Sequence, residues 1–151
     1  MNDKFVQRMA DEKVAHDTRV VADFIRIYCD GHHADREKHP AATDAASLGV
    51  FEGKHPSLCD ECEAHLAYSE KRRAYCPEDP KPFCAHCETH CYRPEEREWQ
   101  AQMMRYSGPR SWREGHMADG IRHAVEGIKW KREMTRRAKA EASSQDREES
   151  R

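Results

Sequence analysis

The stretch that decides the fold runs from residue 59 to residue 91 and reads CDECEAHLAYSEKRRAYCPEDPKPFCAHCETHC. It holds six of the chain's 7 cysteines, in the order Cys59-x2-Cys62, Cys76, Cys84-x2-Cys87-x3-Cys91. A Cys-x2-Cys pair in a short bend can turn both thiolates toward one tetrahedral cation, at metal–sulfur distances of about 2.3 Å. Two such pairs in one chain predict a metal site.

The segments around the cysteines have helical patterns. Apolar residues recur every three or four positions over residues 4–30, and Gly31 is expected to end that helix. A second helix is expected over 60–75, a third from Pro94 to the Ser107-Gly108-Pro109 turn, and a fourth over roughly 116–140. Strand patterns are nearly absent. The expected fold is all-α, a small helical domain organised around a Cys-rich metal-binding centre.

The composition predicts one domain over residues 1–140. Among 151 residues, 37% are apolar and 36% charged, so the core is modest and a bound metal would help to hold it. Residues 34–57 are rich in Ala, Pro, Gly and charge, and they predict a flexible loop. The segment 141–151 is too polar to bury anything and predicts a disordered tail.

Hydropathy and charge bound the location and the partners. No run approaches the roughly twenty apolar residues of a membrane span, and the first residues lack the apolar core of a signal peptide. A cytoplasmic protein is expected, and in a reducing compartment clustered thiols favour metal binding over disulfides. The formal charge of −2 argues against a polyanion binder as a whole. A protein partner is not indicated.

The spacing of the thiols leaves their partition open. On one regular helix Cys84 and Cys91 would lie about 10 Å apart along the axis, too far to share a zinc ion. Either Cys84 and Cys87 lie in a turn, or there is more than one ion, or the thiols hold an iron–sulfur cluster. The leading arrangement puts Cys59, Cys62, Cys84 and Cys87 around one ion.

The remaining candidates would form a second site. They are Cys76, Cys91, Cys29 and one of the histidines His32, His33 and His90. A rival arrangement joins Cys59 or Cys62 with Cys76, Cys87 and Cys91 on a cluster. Zinc and an iron–sulfur cluster both remain candidate cofactors, and the metal either holds the fold or takes part in function.

A second candidate site surrounds the MMRYSGPR segment, residues 103–110. Its polar residues could grip a phosphate or carboxylate; they are Arg105, Tyr106, Ser107 and Arg110. Alternatively, Gly108 caps the helix and the arginines pair with glutamates near Pro94.

Four strings of the sequence resemble the nitrous oxide-stimulated promoter family of small bacterial cytoplasmic proteins. They are IYCDGHH (27–33), LCDEC (58–62), KPFCAHCETHCYRPEERE (81–98) and MMRYSGPR (103–110). The resemblance covers roughly residues 10–125. Compared with the family pattern, residues 34–57 look like an enlarged loop, and Ser111-Trp112 replaces a more apolar pair. Neither departure touches a thiol.

The resemblance implies a setting in nitrosative stress and iron or metal handling, and it implies no reaction. The favoured function is therefore a non-enzymatic metal-binding stress protein. One alternative is a nucleic-acid-binding regulator with a zinc-ribbon-like module and a basic last helix, although acidic residues are interspersed there. The other is a redox or metal-dependent enzyme, for which no catalytic constellation identifies a substrate.

Overall fold

The computed structural model describes residues 1–78 and 83–149. Its α-helices are α1 (Asp3–Met9), α2 (Glu12–His32), α3 (Asp44–Ser47), α4 (Asp60–Ala74), α5 (Pro94–Ser111) and α6 (Met117–Glu149). Two short antiparallel strands, β1 (His39–Pro40) and β2 (Ser57–Leu58), pair with His39 opposite Leu58. Two 3₁₀ turns span Cys84–His86 and Trp112–Glu114. The all-α prediction is confirmed.

The single helix predicted over residues 4–30 is divided into α1 and α2. Asp11 interrupts it, because its backbone is extended and its side chain accepts hydrogen bonds from the N–H groups of Lys13 (2.8 Å) and Val14 (3.4 Å). An aspartate that binds the first N–H groups of a helix is a favourable N-cap. The cap lets α1 turn, so that Phe5 and Met9 are buried in the core.

The sequence predicted that Gly31 ends α2, but Gly31 lies inside this helix. The helix continues through His32, and His33 is its C-cap. A Cβ atom at position 31 would lie 1.9 Å from the Tyr106 hydroxyl oxygen and 2.5 Å from the ring carbon that carries it. The missing side chain of Gly31 therefore allows α5 to approach α2 closely.

The central helix α2 packs mainly against α4 and α5. The core between them includes Ile25, Leu66 and Met103, each 0% exposed. Polar contacts fix the helices laterally: Ser107 Oγ donates to the Phe24 carbonyl at 2.6 Å, and Arg73 binds Asp17 at 2.6 Å. Each of the two neighbouring helices is thus held against α2 by a polar contact.

The segment 34–57, predicted as a flexible loop, contains α3 and β1 and contributes to the core. Its buried side chains include Ala41, Ala45, Ala46, Val50 and Phe51. Glu70 of α4 anchors it, because the buried carboxylate accepts hydrogen bonds from Thr43 Oγ1 (2.6 Å) and the Ala45 N–H (3.3 Å). Its packing keeps β2, and therefore the start of α4, against α2.

The chain divides into two compact units, Met1–His116 and the part that begins at Met117. The second unit consists of α6, which includes residues 141–149 that were expected to be a disordered tail. The last two residues of that expected tail lie outside the described residues. The apolar side chains of Ile121, Val125 and Ile128 on this helix are about half exposed, at 54%, 44% and 52%.

Candidate metal centre

Four buried or half-buried side chains meet where the end of α2 touches the start of α4. They are Cys29, His33, Cys59 and Cys62, and one donor atom of each lies within 4.8 Å of the others. All seven cysteines lie in the described part of the chain, and none forms a disulfide there. A group of three thiols and one imidazole is a donor set of the kind that binds zinc.

Two of the four donors come from the last turn of α2. Cys29 and His33 are four residues apart, so they project from the same face of the helix. The His33 N–H donates to the Cys29 carbonyl at 2.9 Å, which places His33 one hydrogen bond beyond the regular helix. The neighbouring His32 projects elsewhere and packs against the rings of Tyr28 and Tyr106, with centroid distances of 4.3 and 4.4 Å.

The other two donors open α4. Cys59 is its N-cap, with an extended backbone at φ −76° and ψ 163°, and Cys62 lies in its first turn. This change from extended to helical backbone turns the two side chains of a Cys-x2-Cys pair to one side. The Cys59 N–H also donates to Cys29 Sγ at 3.4 Å, so the backbone itself connects the two pairs.

The distances fit the ligands of a single cation. His33 Nδ1 lies 3.4 Å from Cys59 Sγ and 3.3 Å from Cys62 Sγ. Around one tetrahedral zinc ion, a nitrogen and a sulfur ligand are about 3.5 Å apart and two sulfur ligands about 3.8 Å apart. The two nitrogen–sulfur distances match this spacing, and all four donors lie within 4.8 Å of one another. The donor chemistry and the geometry of the site both fit one such ion.

Burial and mutual proximity oppose the ionisation of several thiols together. Burial and the neighbouring Cys29 raise the pKa of Cys62, and burial raises the pKa of Cys29. Burial also acts to raise the pKa of Cys59, but the nearby Cys62 N–H, the other two thiols and Arg36 outweigh it and lower that pKa. A divalent cation would supply the positive charge needed for three thiolates in this space.

Neighbouring side chains close the site. Arg36 Nη1 lies 3.9 Å from Cys59 Sγ and forms an ion pair with Glu61, across the outer side of the group. The Tyr28 ring packs edge-on against His33 at a centroid distance of 5.9 Å and against Trp99 at 5.3 Å. The exposed fractions of Cys29, Cys59 and Cys62 are 0%, 3% and 0%, so the sulfurs are shielded from water.

The structure groups the thiols differently from the leading arrangement predicted above. Cys59 and Cys62 meet Cys29 and His33 rather than Cys84 and Cys87. The reason is the length of α4, whose 15 residues separate its two ends by about 22 Å. Cys76 follows the far end of α4, and a hydrogen bond from Thr89 to Glu78 keeps the residues after the Cys84–His86 turn beside that end. His90 is exposed in the same region, with a left-handed backbone at φ 48°.

The predicted anion-binding residues point in different directions. Contrary to the prediction, α5 does not end at the Ser107-Gly108-Pro109 sequence but continues to Ser111, with Pro109 inside the helix. Ser107 is buried against Phe24 of α2, whereas Arg110 stacks on the Tyr106 ring at 3.7 Å. Arg105 donates to the Ala101 carbonyl of its own helix at 3.3 Å. The anion site stays a prediction without a converged set of donors.

The thiol spacing allowed Cys29 to share an ion with one of three histidines, but it did not single out His33 or join that pair to Cys59 and Cys62. The signal was present as Cys-x3-His at the end of a helix, a spacing that puts both donors on one face. It was hidden by Gly31, which we expected to end the helix before His33.

Across residues 1–78 and 83–149, the structure contains no helix with the length and apolarity to cross a bilayer.

Comparisons with known proteins agree with the resemblance stated above. The sequence matches the family described as nitrous oxide-stimulated promoter over residues 12–136. It is also 35% identical over 101 residues to "Uncharacterized protein YgbA" of Escherichia coli (strain K12), a stretch that covers 64% of this chain and 82% of that relative. No solved structure matches the chain. Because the family match spans most of the sequence, this chain belongs to the nitrous oxide-stimulated promoter family.

Proposed function

We propose that this chain is a cytoplasmic metal-binding protein of the nitrosative-stress or iron-homeostasis response, with one cation held by Cys29, His33, Cys59 and Cys62. The observation that carries the proposal is the position of His33 Nδ1, at 3.3–3.4 Å from two sulfurs. The Tyr28 ring packs against one side of this imidazole, while its Nδ1 atom faces the two sulfurs at ligand spacing. The family description, nitrous oxide-stimulated promoter, supports this setting and assigns no reaction.

The spacing favours a single ion over an iron–sulfur cluster. Ligands of a cluster bind different iron atoms, so their sulfurs must lie farther apart than the ligands of one ion. Here the four donors lie within 4.8 Å of one another. Of the mononuclear choices, Zn²⁺ suits three thiolates and an imidazole in a tetrahedral arrangement.

The site is closed, which favours a structural role for this ion. Four protein donors fill a tetrahedral coordination shell, whereas catalytic zinc sites keep one position for water or substrate. The ion would join the end of α2 to the start of α4 in a chain with a modest apolar core. Metal binding would therefore contribute directly to folding.

Metal content of the anaerobically purified protein tests the proposal. We expect a thiophilic metal bound to the wild type, and Co²⁺ substituted at the site should show the absorption of a tetrahedral thiolate complex. His33→Ala should lower the affinity for the metal by at least tenfold. His32→Ala is the matched control, because the adjacent imidazole packs against tyrosines and should leave the affinity unchanged.

Two results would contradict the proposal. One is a fully folded wild type that binds no metal. The other is equal loss of affinity in the His32 and His33 variants, which would indicate a general effect of disturbing the end of α2. The biological setting is tested separately in a strain that lacks the gene. The wild-type gene should restore growth under nitric oxide, and the Cys29→Ser variant should not.

A further inference from the structure

The four cysteines outside the first site gather at the opposite end of α4. Cys76 follows that helix by two residues, and Cys84, Cys87 and Cys91 lie in the segment between α4 and α5. Cys84 is exposed, and the other three are half-buried. These thiols take no part in the site described above.

The turn at Cys84 arranges two of these thiols as a metal-binding pair. The 3₁₀ turn Cys84–His86 is closed by a hydrogen bond from the Cys87 N–H to the Cys84 carbonyl, at 3.4 Å. The Phe83 carbonyl accepts from the His86 N–H at 2.8 Å in the same turn. A tight turn of this kind lets both sulfurs of a Cys-x2-Cys pair bind one ion. Because the turn ends before Cys91, a regular helix does not hold Cys84 and Cys91 about 10 Å apart along its axis.

Cys91 is fixed against α4 by the two residues that follow it. The Tyr92 ring packs against the ring of Tyr68 at a centroid distance of 5.4 Å. The Arg93 N–H donates to the Tyr68 hydroxyl at 3.0 Å. Tyr68 belongs to α4, so the position of Cys91 is set by the helix that also ends just before Cys76.

A further hydrogen bond joins the two sides of the segment. Thr89 Oγ1 donates to Glu78 Oε1 at 2.6 Å. Glu78 lies two residues after Cys76, and Thr89 lies midway between Cys87 and Cys91. The bond therefore keeps the Cys76 side of the segment beside the Cys87–Cys91 side.

Charge at this end of α4 also suits bound thiolates. Burial raises the pKa of Cys91, and the neighbouring thiols Cys84, Cys76 and Cys87 raise it further. Arg72 acts in the opposite direction on the same thiol. The guanidinium carbons of Arg72 and Arg93 lie 4.8 and 5.0 Å from the Tyr68 ring centroid. Four thiolates around a divalent cation carry a net negative charge, which these guanidiniums would offset.

We propose that Cys76, Cys84, Cys87 and Cys91 form a second metal site, which takes a soft divalent cation such as Zn²⁺ with four thiolate ligands. The first site is buried between two helices, whereas this one is partly exposed at Cys84. The two sites differ in solvent access, and the second ion exchanges first with competing ligands.

The second site closes fully when the ion binds. In the described part of the chain, only the first group has its donor atoms within 4.8 Å of one another. The described residues around these ligands, 75–78 and 83–93, contain one 3₁₀ turn and no α-helix, so small backbone movements can bring the sulfurs together.

The stoichiometry of Zn²⁺ tests the proposal. The wild-type protein, loaded with Zn²⁺ and freed of excess metal, should contain two equivalents per chain, and a chromophoric chelator should remove one faster than the other. Cys84→Ser should retain one equivalent, which is released in the slow phase. Its far-UV circular dichroism should match that of the wild type, because Cys84 is exposed. Ser144→Ala, an exposed change on α6, is the control and should retain two equivalents.

Alkylation of the wild type gives a second readout that does not depend on a variant. Zn²⁺ added beyond the first equivalent per chain should protect Cys84 and Cys87 from alkylation by iodoacetamide. The proposal is overturned if the loaded wild type holds one equivalent, if Cys84→Ser retains two, or if Cys84 is alkylated equally with and without Zn²⁺.

Discussion

Replacing Glu70 by glutamine should remove a pH dependence of stability that the burial of this residue creates. Burial raises the pKa of the Glu70 carboxyl from 4.5 to about 7, against the hydrogen bonds from Thr43 and Ala45 that lower it. A pKa that is higher in the folded state means that the folded protein binds the proton more tightly than the unfolded chain. The associated stability is fully present below pH 4.5 and is lost as the pH rises to about 7.

The size of the effect follows from the shift. At about 1.4 kcal/mol per pKa unit, the difference corresponds to a free energy of roughly 3 kcal/mol. Glu70 is 2% exposed, so solvent screening does not reduce this value substantially. For a chain of this length it corresponds to a change in Tm of roughly 6 to 12 °C.

The assay is urea denaturation of the wild type and of Glu70→Gln at several pH values from 5 to 8, at one metal concentration. Glutamine resembles the protonated carboxyl, so the stability of the wild type relative to the variant should fall with rising pH and level off above pH 7. Glu37→Gln, at an exposed position, should give a parallel profile to the wild type. The reasoning would be refuted if the difference in unfolding free energy between the wild type and Glu70→Gln stayed constant with pH. It would also be refuted if the wild type became more stable relative to the variant as the pH rises.

Three other changes should have measurable effects on stability. If the free metal concentration is initially a hundred times its Kd, removing the metal with a chelator should lower the free energy of unfolding by about 3 kcal/mol. A Tm that the chelator leaves unchanged would argue against a structural ion. Gly31→Ala should destabilise the protein by about 1–3 kcal/mol, because the added Cβ clashes with the Tyr106 ring. In a Tyr106→Leu background the same change should cost little or stabilise the protein. Equal costs in both backgrounds would exclude that contact as the cause. Ser107→Ala should cost about 0.5–1.5 kcal/mol in thermal or urea unfolding, because it removes the 2.6 Å hydrogen bond that the buried Ser107 hydroxyl donates to the Phe24 carbonyl. An unchanged free energy of unfolding would contradict this role.

Local signals in the sequence were sufficient for the helices that flank the thiols. Asp60–Ala74 matches the helix expected over 60–75, and α5 begins at Pro94 as expected. Both predictions rest on short-range chemistry, such as the fixed φ of proline at a first helical turn. The Cys-x2-Cys pairs likewise indicated ligands without any knowledge of the fold.

Other features depend on contacts between distant residues, which a single sequence does not reveal. The partition of the thiols follows from the direction in which α4 runs away from α2. Gly31 resembles a helix end, and only the position of Tyr106 explains it as a point of close packing. The apolar residues of α6 have the spacing of a core-facing helix, yet they are half exposed. Periodicity indicates that a face is apolar, but it does not identify what covers that face.

The position of thiols at both ends of α4 has an electrical consequence. The aligned peptide dipoles give the first turn of a helix a partial positive charge and its last turn a partial negative one. Thiolates at Cys59 and Cys62 benefit from that field, whereas a thiolate at Cys76 lies beyond the unfavourable end. When zinc is scarce, α4 should therefore bias occupancy toward the end that it shares with α2, and the other end should fill only as the supply of metal rises.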